Sequence, residues 1–141
     1  MVTGAASGIG AATTQLFLQR GWRVVAVDVD AARLHQLYTP PSSRVTPLVV
    51  DLSDTAACDR LAEQVDSAFP CAEDDIAALV NCAGYILPLP VLGAPWPELE
   101  RQLRVNTLAP LHLTRLLAPR LLAGPRGGSV VNVSSVAAGV A

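Results

Sequence analysis

Short apolar runs and helix-periodic segments alternate along this chain, and that alternation restricts its fold more than any other feature. Met1 to Thr3 reads as the stub of a strand. Arg23 to Asp28 and Val45 to Val50 are apolar, β-branched runs of the kind found in buried strands, and Ile76 to Val80 and Ser129 to Ser134 read as two further strands. Gly8 to Gln19 reads as a helix, with Ile9, Ala12, Leu16 and Phe17 at helical spacing and Gly21 as its stop. Ala31 to Leu37 is a short helix broken by Pro40 and Pro41. A third helix is expected from Asp54 to Ala68, with Ser53 as its N-cap. Pro88, Pro90, Gly93, Pro95 and Pro97 mark a long loop, and Glu98 to Leu122 is helical again, with Pro110 and Pro119 predicting a kink or a split. Gly124 to Gly128 is a turn. The order βαβαβαβαβ predicts an α/β fold: a doubly wound parallel sheet between two helix layers. No linker divides residues 1–141, so a single domain is expected.

Composition narrows the function classes. Hydrophobic residues make up 51% and charged residues 16%, which excludes a disordered tail or a charge-rich binding arm. No stretch reaches the roughly 18 to 20 uninterrupted apolar residues of a membrane span. The net charge of −2 gives no attraction to nucleic acid or anionic lipid. Cys58, Cys71 and Cys82 are odd in number and form no C-x-x-C pair, and His35 and His112 are isolated, so neither a disulfide framework nor a metal site is expected. The N-terminus has no basic segment followed by an apolar run, and a cytoplasmic protein is expected. The ten positive charges are all Arg; the chain contains no Lys.

Two motifs suggest chemistry on their own. Thr3-Gly4-Ala5-Ala6-Ser7-Gly8-Ile9-Gly10 joins the strand stub to the first helix. Glycines there permit a tight turn, let the backbone approach a pyrophosphate and expose the helix N-terminal N–H groups to it. An ordinary strand–helix turn uses the same residues. Asp28 ends the next strand, 18 residues past Gly10. A carboxylate there can accept hydrogen bonds from both hydroxyls of an adenosine ribose and would repel a 2′-phosphate, which favours NAD over NADP. As an alternative, Asp28 is a helix N-cap acid.

With these, Asp51-Leu52, Asn81-x-Ala83-Gly84, Asn106 and Asn132-Val-Ser134-Ser135 complete a set that resembles the short-chain dehydrogenase/reductase family, TGxxxGxG type, in order and spacing over Val2 to Ala141. The resemblance implies a Rossmann-like fold binding NAD(P). It implies that Gly4, Ser7, Gly8, Ile9 and Gly10 hold the pyrophosphate side and that Asp51, with the Leu52 backbone, meets the adenine amino group. Asn81, Cys82, Ala83 and Gly84 match a segment lying along the adenosine ribose, with Cys82 in place of an Asn. Asn106 aligns with a helix Asn that holds a water in a proton relay; the alternative is a mid-helix Asn bonding a backbone carbonyl, and the two roles are compatible. Ser135 aligns with the catalytic Ser; its neighbour Ser134 is the other choice, and a simple strand end is the structural alternative.

The chemistry implied is hydride transfer between nicotinamide and an alcohol or ketone, with a Tyr–x–x–x–Lys pair as the tuned acid/base. That pair should follow Ser135 by about a dozen residues, and the sequence ends at Ala141. Tyr38 sits beside the adenine half at best, and Tyr85 could line the mouth of the site, but neither has a Lys partner. The expectation is therefore a truncated chain, incomplete at the C-terminal side. It carries the dinucleotide half of an oxidoreductase, with apolar surface left open for self-association. The competing expectations are a non-catalytic NAD-binding module and an inactive fragment.

Overall fold

The computed structural model describes residues 1–39, 44–69, 76–124 and 127–135. Pro40, Pro41, Cys71 and the centre of the Gly124–Gly128 turn lie outside them, as does everything after Ser135. Five strands form one sheet: β1 (Val2–Thr3), β2 (Val24–Asp28), β3 (Val45–Val49), β4 (Ala78–Asn81) and β5 (Ser129–Asn132). All pairs are parallel and the order is β3-β2-β1-β4-β5. The chain moves to one side of β1 for β2 and β3, then crosses to the other for β4 and β5. The C-terminal ends of β1 and β4 therefore flank a switch point, the place where open α/β sheets take ligands.

The helices are α1 (Gly8–Gln19), α2 (Ala31–Tyr38), α3 (Thr55–Ala68), α4 (Trp96–Leu103) and α5 (Ala109–Ala123). Strand β2 shows how two layers form: Val25 and Val27 join the cluster of Leu61, Val65, Leu113 and Leu117 from α3 and α5. The alternate residues Val24 and Ala26 join the groups around α1 and α2. A period of two sends neighbouring side chains to opposite faces, so a continuous apolar run serves both. Leu61, Leu79, Leu113 and Leu117 are fully buried, and replacing any one by Ala costs about 2–5 kcal/mol. Strand β3 tolerates Pro47 because it is an edge strand.

Several local expectations are corrected. The α1 stripe is not the buried one: Ile9 and Leu16 are exposed, and the residues that face inward are Gly10 and Thr14. Small residues let this helix approach the sheet closely; a Cβ at Gly10 would stand 2.0 Å from the Gly4 carbonyl oxygen. The α3 N-cap is Asp54, whose side chain accepts from Ala56 N–H, while Ser53 turns back to Asp51. Strand β4 starts two residues later than expected, at Ala78, and β5 ends two residues earlier than expected, at Asn132, lying exposed at the sheet edge among the described residues.

The long helical stretch splits, but at a π turn (Arg104–Leu108) just before Pro110; Pro119 lies inside α5 without ending it. Pro110 sits where the π turn runs on into α5 with helical backbone on both sides, and the N–H it lacks is the one an unbroken helix would offer to the Asn106 carbonyl. Around Pro119, Leu113, Leu117 and Leu121 are buried at four-residue spacing and hold the helix.

Helix α1 ends as the sequence predicts. Gly21, at φ +84°, donates to Leu18 C=O, and Trp22 donates to Phe17 C=O. This six-to-one and five-to-two pair closes the helix, with the Trp22 and Phe17 rings 5.7 Å apart over it.

Candidate functional site

A cleft of about 480 Å³ opens at the C-terminal ends of β1, β2 and β4. Its floor is the glycine-rich turn. Gly4 adopts φ +69°, and a Cβ there would press to 2.9 Å on the Ala83 backbone. Gly8 adopts φ +49° with open space around its missing Cβ, so conformation rather than room requires glycine. Ser7 is the α1 N-cap and makes no side-chain capping bond. The first-turn N–H groups and an uncommitted hydroxyl therefore meet the cleft, a disposition that suits a phosphate.

Asp28 is not a helix cap; Asp30 caps α2, accepting from Arg33 N–H at 3.0 Å. The Asp28 carboxylate instead braces two backbones, Oδ2 accepting from Ala6 N–H at 2.9 Å and Oδ1 from Asp30 N–H at 3.0 Å. Each oxygen keeps a lone pair, so two further donors on adjacent atoms can be held at once. Tyr38, expected near adenine, is buried at the end of α2, and its hydroxyl donates to Ala5 C=O at 2.9 Å. Burial pushes its pKa up, and it acts as a prop under the turn.

Asp51 follows β3. Its Oδ1 accepts from the Ser53 N–H (2.9 Å) and hydroxyl (2.7 Å), and its Oδ2 faces Arg101 Nη2 at 3.6 Å. Desolvation opposes ionisation here, but the Ser53 hydrogen bonds and the Arg101 charge outweigh it and hold the carboxyl below its usual range.

The segment after β4 is fastened to β1 by Thr3, whose buried Oγ1 accepts from Cys82 N–H (3.0 Å) and Ala83 N–H (3.1 Å). Asn81 is buried and donates to Asn132 Oδ1 at 2.9 Å, tying β4 to β5. Burial pushes the Cys82 thiol up, with the Gly10 N–H acting the other way, so it is no ready nucleophile. Asn106 spends its side chain on Tyr85, accepting from the N–H and donating to the C=O, each at 2.8 Å. The expected bond from Asn106 to a backbone carbonyl is present, to Tyr85 C=O. Pro110 denies the Asn106 carbonyl its i+4 donor. Tyr85 does line the cleft, but its hydroxyl donates to Glu98 Oε2 at 2.6 Å, which raises its pKa.

Of the sequence-predicted cofactor residues, all but Gly10 and Asn81 line this one cleft. Those two stand directly behind it, Gly10 against Gly4 and Asn81 at the end of β4. Ser134 and Ser135 lie exposed just past β5, next to Val133, which does reach the cleft. Arg101 and Val105 line it too and were not anticipated. Arg101 arrives through the docking of α4, and no local spacing announces that. Among the described residues no cluster of His, Cys, Asp or Glu could hold a metal ion, and no helix is long and apolar enough to cross a membrane.

Comparison with known proteins agrees with this geometry. A family described as short chain dehydrogenase matches residues 1–141. The chain is 35% identical to 1-deoxy-11-beta-hydroxypentalenate dehydrogenase of Streptomyces exfoliatus, over 98% of this chain and 50% of that protein. It is 34% identical to serine 3-dehydrogenase of Rhizobium radiobacter, over 98% of this chain and 53% of that protein. The structure of 4-hydroxyisoleucine dehydrogenase complexed with NADH superposes with TM-score 0.88 at 30% identity, covering 100% of this chain and 56% of that one. A short-chain dehydrogenase from Sphingobium yanoikuyae in complex with NADPH gives 0.84 at 30% identity, covering 99% of this chain and 54% of that one. The chain thus spans about half the length of the curated relatives it matches. The sheet order, the glycine turn and the family match lead to one conclusion: this chain belongs to the short chain dehydrogenase family.

Proposed function

We propose that these 141 residues form a single nicotinamide-dinucleotide-binding domain of a short-chain oxidoreductase and that it prefers NAD to NADP. The Asp28 carboxylate carries the reading. It stands at the end of β2, tied to the glycine turn through Ala6, with one lone pair per oxygen left for the two ribose hydroxyls. A 2′-phosphate would bring negative charge against it. The cradle fits the group, since Gly4 and Gly10 leave no room for a Cβ and Gly8 leaves open space at the helix N-terminus.

In this assignment Gly4, Ser7, Gly8, Ile9 and Gly10 form the phosphate side. Asp51 and Leu52 meet the adenine, and Asn81, Cys82, Ala83 and Gly84 follow the ribose. A bound nicotinamide would supply hydride chemistry toward an alcohol or ketone carbon. Asn106 would hold a water through its main-chain carbonyl, because its amide is committed to Tyr85. Ser135 would hydrogen-bond the substrate oxygen.

The sequence holds no Lys and no Tyr–x–x–x–Lys. This specific observation favours a second reading, in which the chain by itself binds the dinucleotide without turnover. A soluble, cytoplasmic setting and self-association through exposed apolar residues such as Val130, Val131 and Leu111 belong to the same proposal. Calorimetric titration of the 141-residue chain tests it. One-site binding of NAD, tighter than NADP, is expected, with no NADH formed from any alcohol. Equal affinity for NAD and NADP would overturn the Asp28 assignment, and turnover would overturn the binding-only reading.

A further inference from the structure

Arg101 has no part in that assignment, yet it stands in the cleft between Asp51 and Tyr85. Its Nη2 is 3.6 Å from Asp51 Oδ2, and its Cζ is 5.1 Å from the centroid of the Tyr85 ring. The placement is built from both sides. Asn106 clamps the Tyr85 N–H and C=O, and Glu98 Oε2 accepts from the hydroxyl, so the ring is fixed at three points. Glu98 and Arg101 are one turn apart on α4, so the helix that anchors the ring also lays the guanidinium beside it. On the opposite side Ser53 occupies Asp51 Oδ1 with two hydrogen bonds. Oδ2 then faces Arg101 at ion-pair distance but beyond hydrogen-bond reach, and remains an acceptor for another group.

A guanidinium is planar, weakly hydrated and disposed to stack on π systems. Beside the one open carboxylate oxygen, it offers a flat cation to whatever that oxygen binds. The matching ligand has a π face and an amino donor on its edge. We propose that Arg101 determines specificity at the adenine end of the dinucleotide: the purine lies against the guanidinium while its exocyclic amino group donates to Asp51 Oδ2. This inference rests on the dinucleotide reading and deepens it. A 6-oxo purine would turn an acceptor toward the carboxylate and be rejected.

The test titrates the chain and its Arg101→Leu and Arg101→Lys variants with AMP, IMP, nicotinamide mononucleotide and NAD, after thermal melting confirms folding. The unaltered chain is expected to bind AMP more tightly than IMP. Arg101→Leu weakens AMP about fivefold or more, Arg101→Lys recovers part of the loss, and nicotinamide mononucleotide is unchanged. If the chain binds NAD and AMP but Arg101→Leu binds AMP equally well, the inference falls and the dinucleotide reading stands. An equal loss for AMP and nicotinamide mononucleotide also overturns it, because the effect would then be a general one. Should Arg101→Leu fail to fold, full AMP affinity in Arg101→Lys overturns the stacking. Absence of both NAD and AMP binding by the folded, unaltered chain would bring down the dinucleotide reading itself.

Discussion

The two ends of the parallel sheet carry hollows of similar size but lined by different residues. At the C-terminal end the cleft of about 480 Å³ is walled by glycine backbone, two carboxylates and an arginine. At the N-terminal end a hollow of about 430 Å³ is walled by Met1, Phe17, Trp22, Phe69 and the stem-bearing Arg20 and Arg23. The Arg23 guanidinium lies 4.3 Å from the Phe69 ring centroid. Volume therefore does not single out the cleft that holds the glycine turn. Direction does: the positive ends of helix dipoles, free helix N–H groups and strand-end acids gather at the C-terminal end of a parallel sheet.

The largest expected effect comes from damage to the cleft floor. Gly10→Ala would drive a Cβ against the Gly4 carbonyl, backbone against backbone, and should remove about 3 kcal/mol or more of stability together with NAD binding. Gly8→Ala meets no atom and strains only φ, so about 1–2 kcal/mol is expected there. Melting curves for both check this; equal losses would mean that the contact with Gly4 is not what glycine serves at position 10.

The opposite end offers a pH effect. Burial lowers the Met1 ammonium from 8.0 to about 6. Because the folded value is the lower one, the folded state favours the neutral amine. Stability is fully present above pH 8 and falls as pH drops toward 6, by at most about 2.7 kcal/mol. Urea midpoints between pH 8.5 and 5.5 measure it, and acetylating the amine should flatten that part of the profile. NAD affinity per folded molecule should stay unaltered by this titration.

On the proposed ribose assignment, Asp28→Ala should weaken NAD about tenfold or more and NADP far less, because two proposed ribose acceptors and one proposed repulsion go together. A parallel loss for both nucleotides would return Asp28 to a purely structural role. The smallest effect is reserved for Trp22→Ala, which strips the ring contact from the α1 terminus. About 1 kcal/mol of stability should go with it, and no change should appear in a nucleotide titration.

How much of this was legible depended on whether the signal was local. Strand β2 announced itself because a run of Val and Ala buried on both faces can be little else. The Gly21 stop of α1 was legible for the same reason, since a helix C-terminus is fixed by its own last residues. The inward face of α1 was not: Ile9 and Leu16 make the better apolar stripe, but the close approach of helix to sheet selects Gly10 and Thr14. Ser53 and Asp54 are both good caps in isolation, and the choice between them was made by Asp51, which claims Ser53. In the cleft, the glycines and Asp28 were readable from spacing, and Asp51 from the family resemblance. Arg101, the clamp of Asn106 on Tyr85 and the prop supplied by Tyr38 were not, since each joins elements brought together by tertiary packing alone.

The Asp28 carboxylate holds the Ala6 N–H as well as facing the cleft. Under the proposed assignment, preference for one dinucleotide and rigidity of the loop that would seat it are vested in a single side chain. A variant selected to accept a 2′-phosphate, with Asp28 exchanged for a small or cationic residue, would inherit an unpaired amide in the turn. Redesign of cofactor choice in this chain is therefore a two-site problem, in which the second substitution must restore an acceptor for Ala6 before the first can be judged on affinity.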